Sequence, residues 1–336
     1  MLYIRVDGND IIATGHVMRC LAIAEKMRKI GEDVTFILAD ECPKDIIENR
    51  GFRTISLDSD WQNMEAEIPK LRKVIEENKI EMLLIDSYYV TSKYVEELRK
   101  KIKVAYIDDF NDYSLNVDLL INYNIYASVL EYGNIKNLAL GTEFVPLRQE
   151  FQNIVAKDVS KVSKILITSG GTDNYNITDK ILSRVKQCEW FETFTYYVVI
   201  GKYNKNKDLL QNKWGNVSNI KLLCDISNMS KYMQMCDVAI SAGGTTVYEL
   251  CASGIPSILY TIADNQLSMA RAFQERNLIP WAGDVRIDEE KCLDKIIFYL
   301  QQYAVDYERR KNTSEAMQAV VDGKGCQRIA EAILKL

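Results

Sequence analysis

Short β-rich runs alternate with amphipathic stretches along almost the whole chain, and this alternation limits the fold more than any single motif. In the first half the runs are Leu2–Val6, Asp33–Ala39, Arg53–Leu57, Met82–Asp86, Val104–Asp108 and Leu119–Asn122. Helical patterns separate them at His16–Ile30, Pro43–Arg50, Trp61–Asn78 and Ser92–Lys101. A helix between successive strands is the crossover that parallel neighbours need, so the expected sheet is parallel with helices on both faces. The alternation breaks around Gly141 to Arg148, where Pro146 sits in a short connector. A second series then runs through strands at Lys164–Thr168, Thr195–Gly201, Ile220–Leu223, Val238–Ser241 and Ser257–Tyr260. Its helices are expected at Ile177–Cys188, Met229–Met235, Thr246–Ala252, Asn265–Arg276 and Glu289–Gln302, with Asp306–Val321 and Cys326–Leu336 closing the chain. The expected fold class is α/β: two Rossmann-like domains, 1–145 and 146–336, facing each other across a cleft.

Composition narrows the function. With 336 residues, each domain is large enough to bury its own core. Hydrophobic residues at 47% and charged residues at 26% give an ordinary soluble balance. A net charge of −5 argues against a nucleic-acid binder, which needs a basic footprint, and leaves room for an anionic small molecule. The chain opens directly on a strand, so no signal peptide is expected, and no apolar run approaches the ~18 residues of a membrane span. Eight cysteines are scattered without a CxxC pair, several within apolar patterns, which suits buried reduced thiols and a cytoplasmic setting. One histidine and no close cysteine pair argue against a zinc site; a carboxylate-bound Mg²⁺ fits the composition but nothing demands it, and no metal or cofactor is expected. Neither glycine cluster forms GxGxxG with an acidic residue about twenty positions on, which sets a dehydrogenase aside.

The single histidine, His16, lies where a ligand is expected. The strand Leu2–Val6 leads through a polar loop, Asp7 to Thr14, into a helix that opens Gly15-His16-Val17-Met18-Arg19-Cys20-Leu21. Open α/β sheets bind ligands at the carboxyl ends of their strands, and Gly15 lets a ligand approach the backbone. The positive end of the helix disfavours an imidazolium, so His16 is expected to be neutral and able to accept a proton. A capping or packing histidine fits the same place. Asp7 either orients His16 or caps the loop, with the cap favoured, and Arg5 and Arg19 either add positive field or pair with carboxylates. Asp108 and Asp109 resemble an acid/base pair, but neighbours on a strand end point to opposite faces, so both are taken as structural.

The second informative stretch is Asp237-Val238-Ala239-Ile240-Ser241-Ala242-Gly243-Gly244-Thr245-Thr246-Val247-Tyr248-Glu249-Leu250. An apolar strand enters a Gly243-Gly244-Thr245 turn and a helix starts at once, which aims free N–H groups and the helix dipole at an anion. Thr245 and Glu249 are four apart and share a helix face. A hydroxyl near phosphate and a carboxylate one turn deeper suit a nucleoside diphosphate, with Glu249 accepting from the ribose hydroxyls. A tight turn with Thr245 as N-cap and a solvated Glu249 fits the same residues. Gly170-Gly171-Thr172 is another strand-to-helix turn expected to line the cleft, with Asn176 on the same face as Thr172.

The continuation Ala252-Ser253-Gly254-Ile255-Pro256-Ser257-Ile258-Leu259-Tyr260, leading to Ala263-Asp264-Asn265-Gln266, resembles the nucleotide-binding half of GT-B glycosyltransferases. The likeness is closest to the UDP-N-acetylglucosamine transferase that makes lipid II. The N-terminal motif Arg5-Val6-Asp7 … Thr14-Gly15-His16-Val17-Met18-Arg19-Cys20-Leu21 is similar to the signature of PseG/SpsG-type nucleotide-sugar hydrolases. Further matches are Asp86-Ser87-Tyr88, Ile107-Asp108-Asp109, Asp118-Leu119-Leu120-Ile121-Asn122, Leu147-Arg148-Gln149-Glu150-Phe151, Gly170-Gly171-Thr172-Asp173 and Asp322-Gly323-Lys324-Gly325-Cys326-Gln327-Arg328-Ile329. The resemblance covers nearly the whole chain, in order. It departs at Ala13, where the family usually has glycine.

The resemblance implies a GT-B fold, a UDP-sugar substrate and hydrolysis at the anomeric carbon with inversion. It implies that His16 is the general base, that Tyr88 faces the sugar (a rim aromatic fits equally), and that the N–H groups of Gly243, Gly244 and Thr245 hold the diphosphate without a metal. Glu249 would hold ribose, the Ile226 backbone would meet uracil, and Asn265 and Gln266 would hold sugar substituents. The alternatives are a GT-B glycosyltransferase using a UDP-sugar, for which no apolar or basic acceptor patch is evident, and a non-catalytic nucleotide-sugar binder.

Overall fold

A computed structural model describes residues 1–9, 11–12, 14–109, 115–224, 226 and 228–336. The chain divides into two compact units, Met1–Gln149 together with Gly323–Leu336, and Glu150–Asp322. The boundary thus falls near the expected connector, but the last stretch of chain joins the first unit and not the second.

The first unit is built from β1 (Leu2–Val6), α1 (Gly15–Lys29), β2 (Val34–Leu38), α2 (Lys44–Glu48), β3 (Arg53–Ser56), α3 (Met64–Asn78), β4 (Met82–Asp86), α4 (Ser92–Arg99), β5 (Lys103–Ile107), β6 (Leu119–Asn122) and β7 (Leu138–Leu140). Its strands form one parallel sheet in the order β3-β2-β1-β4-β5-β6-β7. Every residue of β1 and β2 is buried, as expected of central parallel strands covered on both faces. Tyr3, Ile37 and Ile85 share a core with Leu71 of α3 and Tyr94 of α4. Because β1 continues to the β2 side while β4 lies on its other flank, strand order reverses between β1 and β4. Their carboxyl ends are level there, with Val6 opposite Asp86.

The second unit contains β8 (Lys164–Thr168), α5 (Ile177–Lys186), β9 (Thr195–Ile200), α6 (Lys207–Trp214), β10 (Ile220–Cys224), α7 (Met229–Met235), β11 (Val238–Ala242), α8 (Thr246–Ser253), β12 (Ser257–Thr261), α9 (Leu267–Glu275), β13 (Trp281–Asp284), α10 (Glu289–Val305) and α11 (Tyr307–Val320). Its parallel sheet runs β10-β9-β8-β11-β12-β13, so the reversal falls between β8 and β11. Ile165, Ile181, Tyr196, Ile240 and Ile296 are part of its core. Gly201, just after β9, is demanded by close approach: a Cβ there would lie 2.3 Å from the Gly170 carbonyl oxygen and 2.5 Å from that of Gly171.

The final helix, α12 (Gly325–Leu334), packs on α1 of the first unit. A Cβ on Gly325 would sit 2.1 Å from the Val145 carbonyl oxygen, so only glycine lets the helix start there. The Cys326 thiol then donates to the Leu147 carbonyl at 3.3 Å. Among the described residues, no helix is long and apolar enough to cross a membrane.

Candidate active site

In open α/β sheets the loops that leave strand ends at the reversal point diverge and leave a crevice. In the first unit those loops carry His16 and the Asp86-Ser87-Tyr88 segment. Helical spacing puts His16, Arg19 and Cys20 on one side of α1, and that side meets Asp86. The imidazole Nδ1 is 2.5 Å from Asp86 Oδ1. Arg19 grips the same carboxylate through Nε to Oδ2 at 2.6 Å and Nη2 to Oδ1 at 2.5 Å. Cys20 donates its thiol proton to Oδ2 at 3.3 Å. Arg19 also bonds Asp109 at 3.0 and 2.8 Å and donates to the Tyr123 hydroxyl.

Asp86 is fully buried, and burial alone pushes a carboxyl up. The Arg19 guanidinium and His16 outweigh that and hold it well below the usual carboxylate range. Burial also raises the Cys20 thiol, with Asp86 adding to the effect, so Cys20 stays a thiol and a donor. The other imidazole nitrogen, His16 Nε2, is buried and has no hydrogen-bond partner among the described residues. The Tyr88 ring meets the imidazole at 83°, centroids 4.3 Å apart. Gly15 is exposed, and an added Cβ there would meet nothing within 4 Å.

Asp7 belongs to a different cluster, so both roles considered for it need correcting. Arg5 and Asp7, two apart on an extended segment, point the same way, and Arg5 Nη1 donates to Asp7 Oδ1 at 2.5 Å. Arg5 also forks onto both oxygens of Glu67 at 2.8 Å, and Tyr94 and Ser59 donate to Glu67 as well. Burial raises the Asp7 carboxyl despite its Arg5 partner. Asp86 is the carboxylate that holds His16. Its signal in the sequence was a charged residue closing the apolar run Met82–Asp86, with His16 and Arg19 one turn apart and in need of a shared partner. Asp109 pairs with Arg19, and Asp108 accepts from Asn122 Nδ2 at 3.5 Å.

In the second unit, both glycine turns leave strands at the β8/β11 reversal. The backbone N–H groups are not all available as expected. Gly243 N–H donates to the Tyr260 carbonyl at 2.8 Å and Gly244 N–H to the Ala242 carbonyl at 2.9 Å. These two bonds form the turn itself, so the open donors at the start of α8 are the next two, on Thr245 and Thr246, which have no acceptor among the described residues. Thr245 is the exposed N-cap and makes no side-chain cap bond, and Glu249 follows one turn on, half-buried. A Cβ on Gly243 would lie 3.2 Å from Thr261 Cγ2 and 3.5 Å from Gln266 Cβ, which places Gln266 against the turn. Gln266 Oε1 accepts from the Ile262 N–H at 2.9 Å, and Asn265 precedes it in the same short turn.

The Gly170-Gly171-Thr172 turn differs. Asp173 accepts from the N–H groups of Ile177 and Thr178 at 2.8 and 3.1 Å, so the start of α5 is already capped by a carboxylate and repels an anion. Thr172 lies in the loop and Asn176 is the N-cap with φ of +51°, so the shared helix face expected for them does not exist. Asn176 keeps its Oδ1 buried without a partner. Ile226 is half-buried beyond β10. Among the described residues no cluster of three His, Cys, Asp or Glu is placed to hold a metal ion.

Residues 164–319 match the family model described as the glycosyltransferase family 28 C-terminal domain. The spore coat polysaccharide biosynthesis protein SpsG of Bacillus subtilis is 22% identical, across 98% of this chain and 96% of that protein. The UDP-2,4-diacetamido-2,4,6-trideoxy-β-L-altropyranose hydrolase of Campylobacter jejuni is 26% identical, across 79% of this chain and 93% of that protein. At family level the chain is similar to SpsG- and PseG-type proteins. An uncharacterized protein of Methanocaldococcus jannaschii is 26% identical over 75% of this chain, which spans 54% of that protein's length. MurG of Acinetobacter baumannii matches with a TM-score of 0.72 at 13% identity, over 100% of this chain and 99% of that one. The fold is therefore α/β, of the GT-B class. The departure at Ala13 lies outside the described residues.

Proposed function

We propose that the chain hydrolyses a UDP-linked deoxy-amino sugar, of the UDP-2,4-diacetamido-2,4,6-trideoxy-β-L-altropyranose kind, to UDP and free sugar. The observation that carries this reading is His16 Nε2, a nitrogen without a partner among the described residues, on a ring held at a strand-end reversal. In the proposed reaction a water hydrogen-bonded to Nε2 loses a proton to it while the water oxygen bonds to the anomeric carbon. The bond from that carbon to the glycosidic oxygen breaks, its electron pair leaves with UDP, and attack from the opposite face inverts the centre. His16 then returns its proton to solvent.

The nucleotide end falls to the second unit. The open N–H groups of Thr245 and Thr246, at the positive end of α8, take the charge that develops on the diphosphate. Glu249 accepts from the ribose hydroxyls, the Ile226 backbone meets uracil, and Asn265 contacts the sugar. Gln266, bonded to the Ile262 N–H, braces the turn and offers its amide nitrogen. Tyr88, whose ring meets the imidazole edge-on, faces the sugar. The relatives' names support a place in surface-polysaccharide or pseudaminic-acid-type sugar synthesis. Incubation with a panel of UDP-sugars and no acceptor, followed by NMR, tests the reading: free UDP and free sugar appear together if it holds. Release that waits for a carbohydrate or lipid acceptor establishes a transferase instead, and binding without release establishes a nucleotide-sugar binder.

A further inference from the structure

We propose that Asp86 is the positioning residue for His16, fixing the proton on Nδ1 so that Nε2 always carries the lone pair. The proposal rests on the reading of His16 as the general base. Two groups approach Nδ1: Asp86 Oδ1 at 2.5 Å and Arg19 Nη2 at 2.9 Å. They make opposite demands, because an ionised carboxylate only accepts and a guanidinium only donates. Counting hydrogens decides between them. Arg19 Nη2 carries two, and both are committed, one to Asp86 Oδ1 at 2.5 Å and one to Asp109 Oδ2 at 2.8 Å. None is left for the imidazole. Nδ1 therefore bears the hydrogen and donates it to Asp86.

Asp86 cannot turn away from this task. An ionised carboxylate offers about four acceptor positions, and four donors fill them: His16 and Arg19 Nη2 on Oδ1, Arg19 Nε and Cys20 on Oδ2. Arg19 is itself pinned by Asp109 and Tyr123 on the strand ends beyond β4. The charges bordering the ring are Arg19 against Asp86 and Asp109, one positive and two negative, so an imidazolium formed during turnover is balanced and not isolated. In the neutral ring the remaining nitrogen, Nε2, must then be the unprotonated one, and it is the one without a partner among the described residues.

Because His16 is the only histidine, nitrogen NMR of the imidazole reports on this site alone. Labelled protein, at a pH where the ring is neutral, is expected to show a protonated Nδ1 and an unprotonated Nε2. In Asp86→Asn the amide donates to Nδ1, so the proton moves to Nε2. Turnover should then fall roughly 10²- to 10⁴-fold in kcat, with KM nearly unchanged, as for other orienting carboxylates. Asp86→Glu, which keeps the acceptor, should recover part of the loss. A protonated Nε2 in the unaltered protein overturns the proposal whether or not sugar is released, and so does an Asp86→Asn enzyme with unchanged tautomer or near-normal kcat. Should Asp86→Asn fail to fold, the spectrum of the unaltered protein still decides. A protonated Nδ1 in a protein that hydrolyses no UDP-sugar upholds the positioning and removes the hydrolase reading.

Discussion

Asp86 Oδ1 lies 2.5 Å from His16 Nδ1 although 70 positions separate the two residues. The reversal of strand order brings them together, since β4 lies beside β1 and ends level with it. If the imidazole is the base, His16→Asn should lower kcat by 10²-fold or more. UDP affinity should stay within a few-fold, because the proposed nucleotide contacts are on other residues. Single-turnover kinetics alongside calorimetry with UDP check this, and near-normal turnover would remove His16 from the chemistry.

Glu249→Ala should weaken UDP by about 1–3 kcal/mol, the range for a charge-assisted pair of hydrogen bonds. The contrast with the 2′,3′-dideoxy analogue of UDP makes the test specific. The native protein should prefer UDP strongly, and the variant should bind both about equally. Equal UDP affinity in native and variant proteins takes Glu249 out of the site.

Asp86 should also shape stability against pH. Its folded pKa is depressed below the ordinary value of about 3.9. A depressed carboxyl stabilises the fold fully above the unfolded value, and that contribution is lost as pH falls through the folded one. Asp7, raised by burial, has the opposite sign: its contribution is present below the unfolded value and lost as pH rises through the folded one. Urea denaturation from pH 3 to 7 should find Asp86→Asn less stable than the parent at pH 7, with the gap narrowing below about pH 4. A gap that widens toward acid would contradict the assignment.

Gly201→Ala should destabilise the second unit by about 1–3 kcal/mol, the usual cost of forced overpacking. The added carbon would lie 2.3 Å from a backbone oxygen of the Gly170 turn, which cannot rotate away as a flexible side chain can. Gly15→Ala, with nothing within 4 Å of its Cβ, should leave the melting temperature nearly unchanged. Thermal unfolding of the two variants compares them directly.

Much of the fold was legible because its signal is local. Six strands of the first sheet and five of the second follow apolar runs that end within a residue or two of the expected positions. The edge strands β7 and β13 escaped notice. The first is a three-residue Leu138–Leu140 run, and the second contains Gly283 and shifts register against β12. Helix α6 escaped because only Leu210 and Trp214 are buried on it, too few to give a periodic pattern.

The site was half legible. His16 and the Gly243-Gly244-Thr245 turn stand at strand-to-helix junctions that a sequence displays. Asp86 is visible only as a carboxylate closing an apolar run, because its partner depends on which strand neighbours β1. The donors of Gly243 and Gly244 were misassigned for a related reason: whether a glycine N–H is free depends on where Tyr260 and Ala242 place their carbonyls. Asp173 capping α5 is different, because the carboxylate lies only four residues before Ile177 and the bond is local. The seat of α12 against Val145 and α1 is long-range information that no local pattern could reveal.

The central claim is water attack at the anomeric carbon, and oxygen labelling tests it most directly. The protein is incubated with a UDP-linked 2,4-diacetamido-2,4,6-trideoxy sugar in ¹⁸O-water without acceptor, and the products are separated for mass spectrometry. The account predicts equal amounts of sugar and UDP, with the label on the anomeric oxygen of the sugar and none in UDP. Label in the UDP phosphate would mean attack at phosphorus, and would contradict the role given to His16.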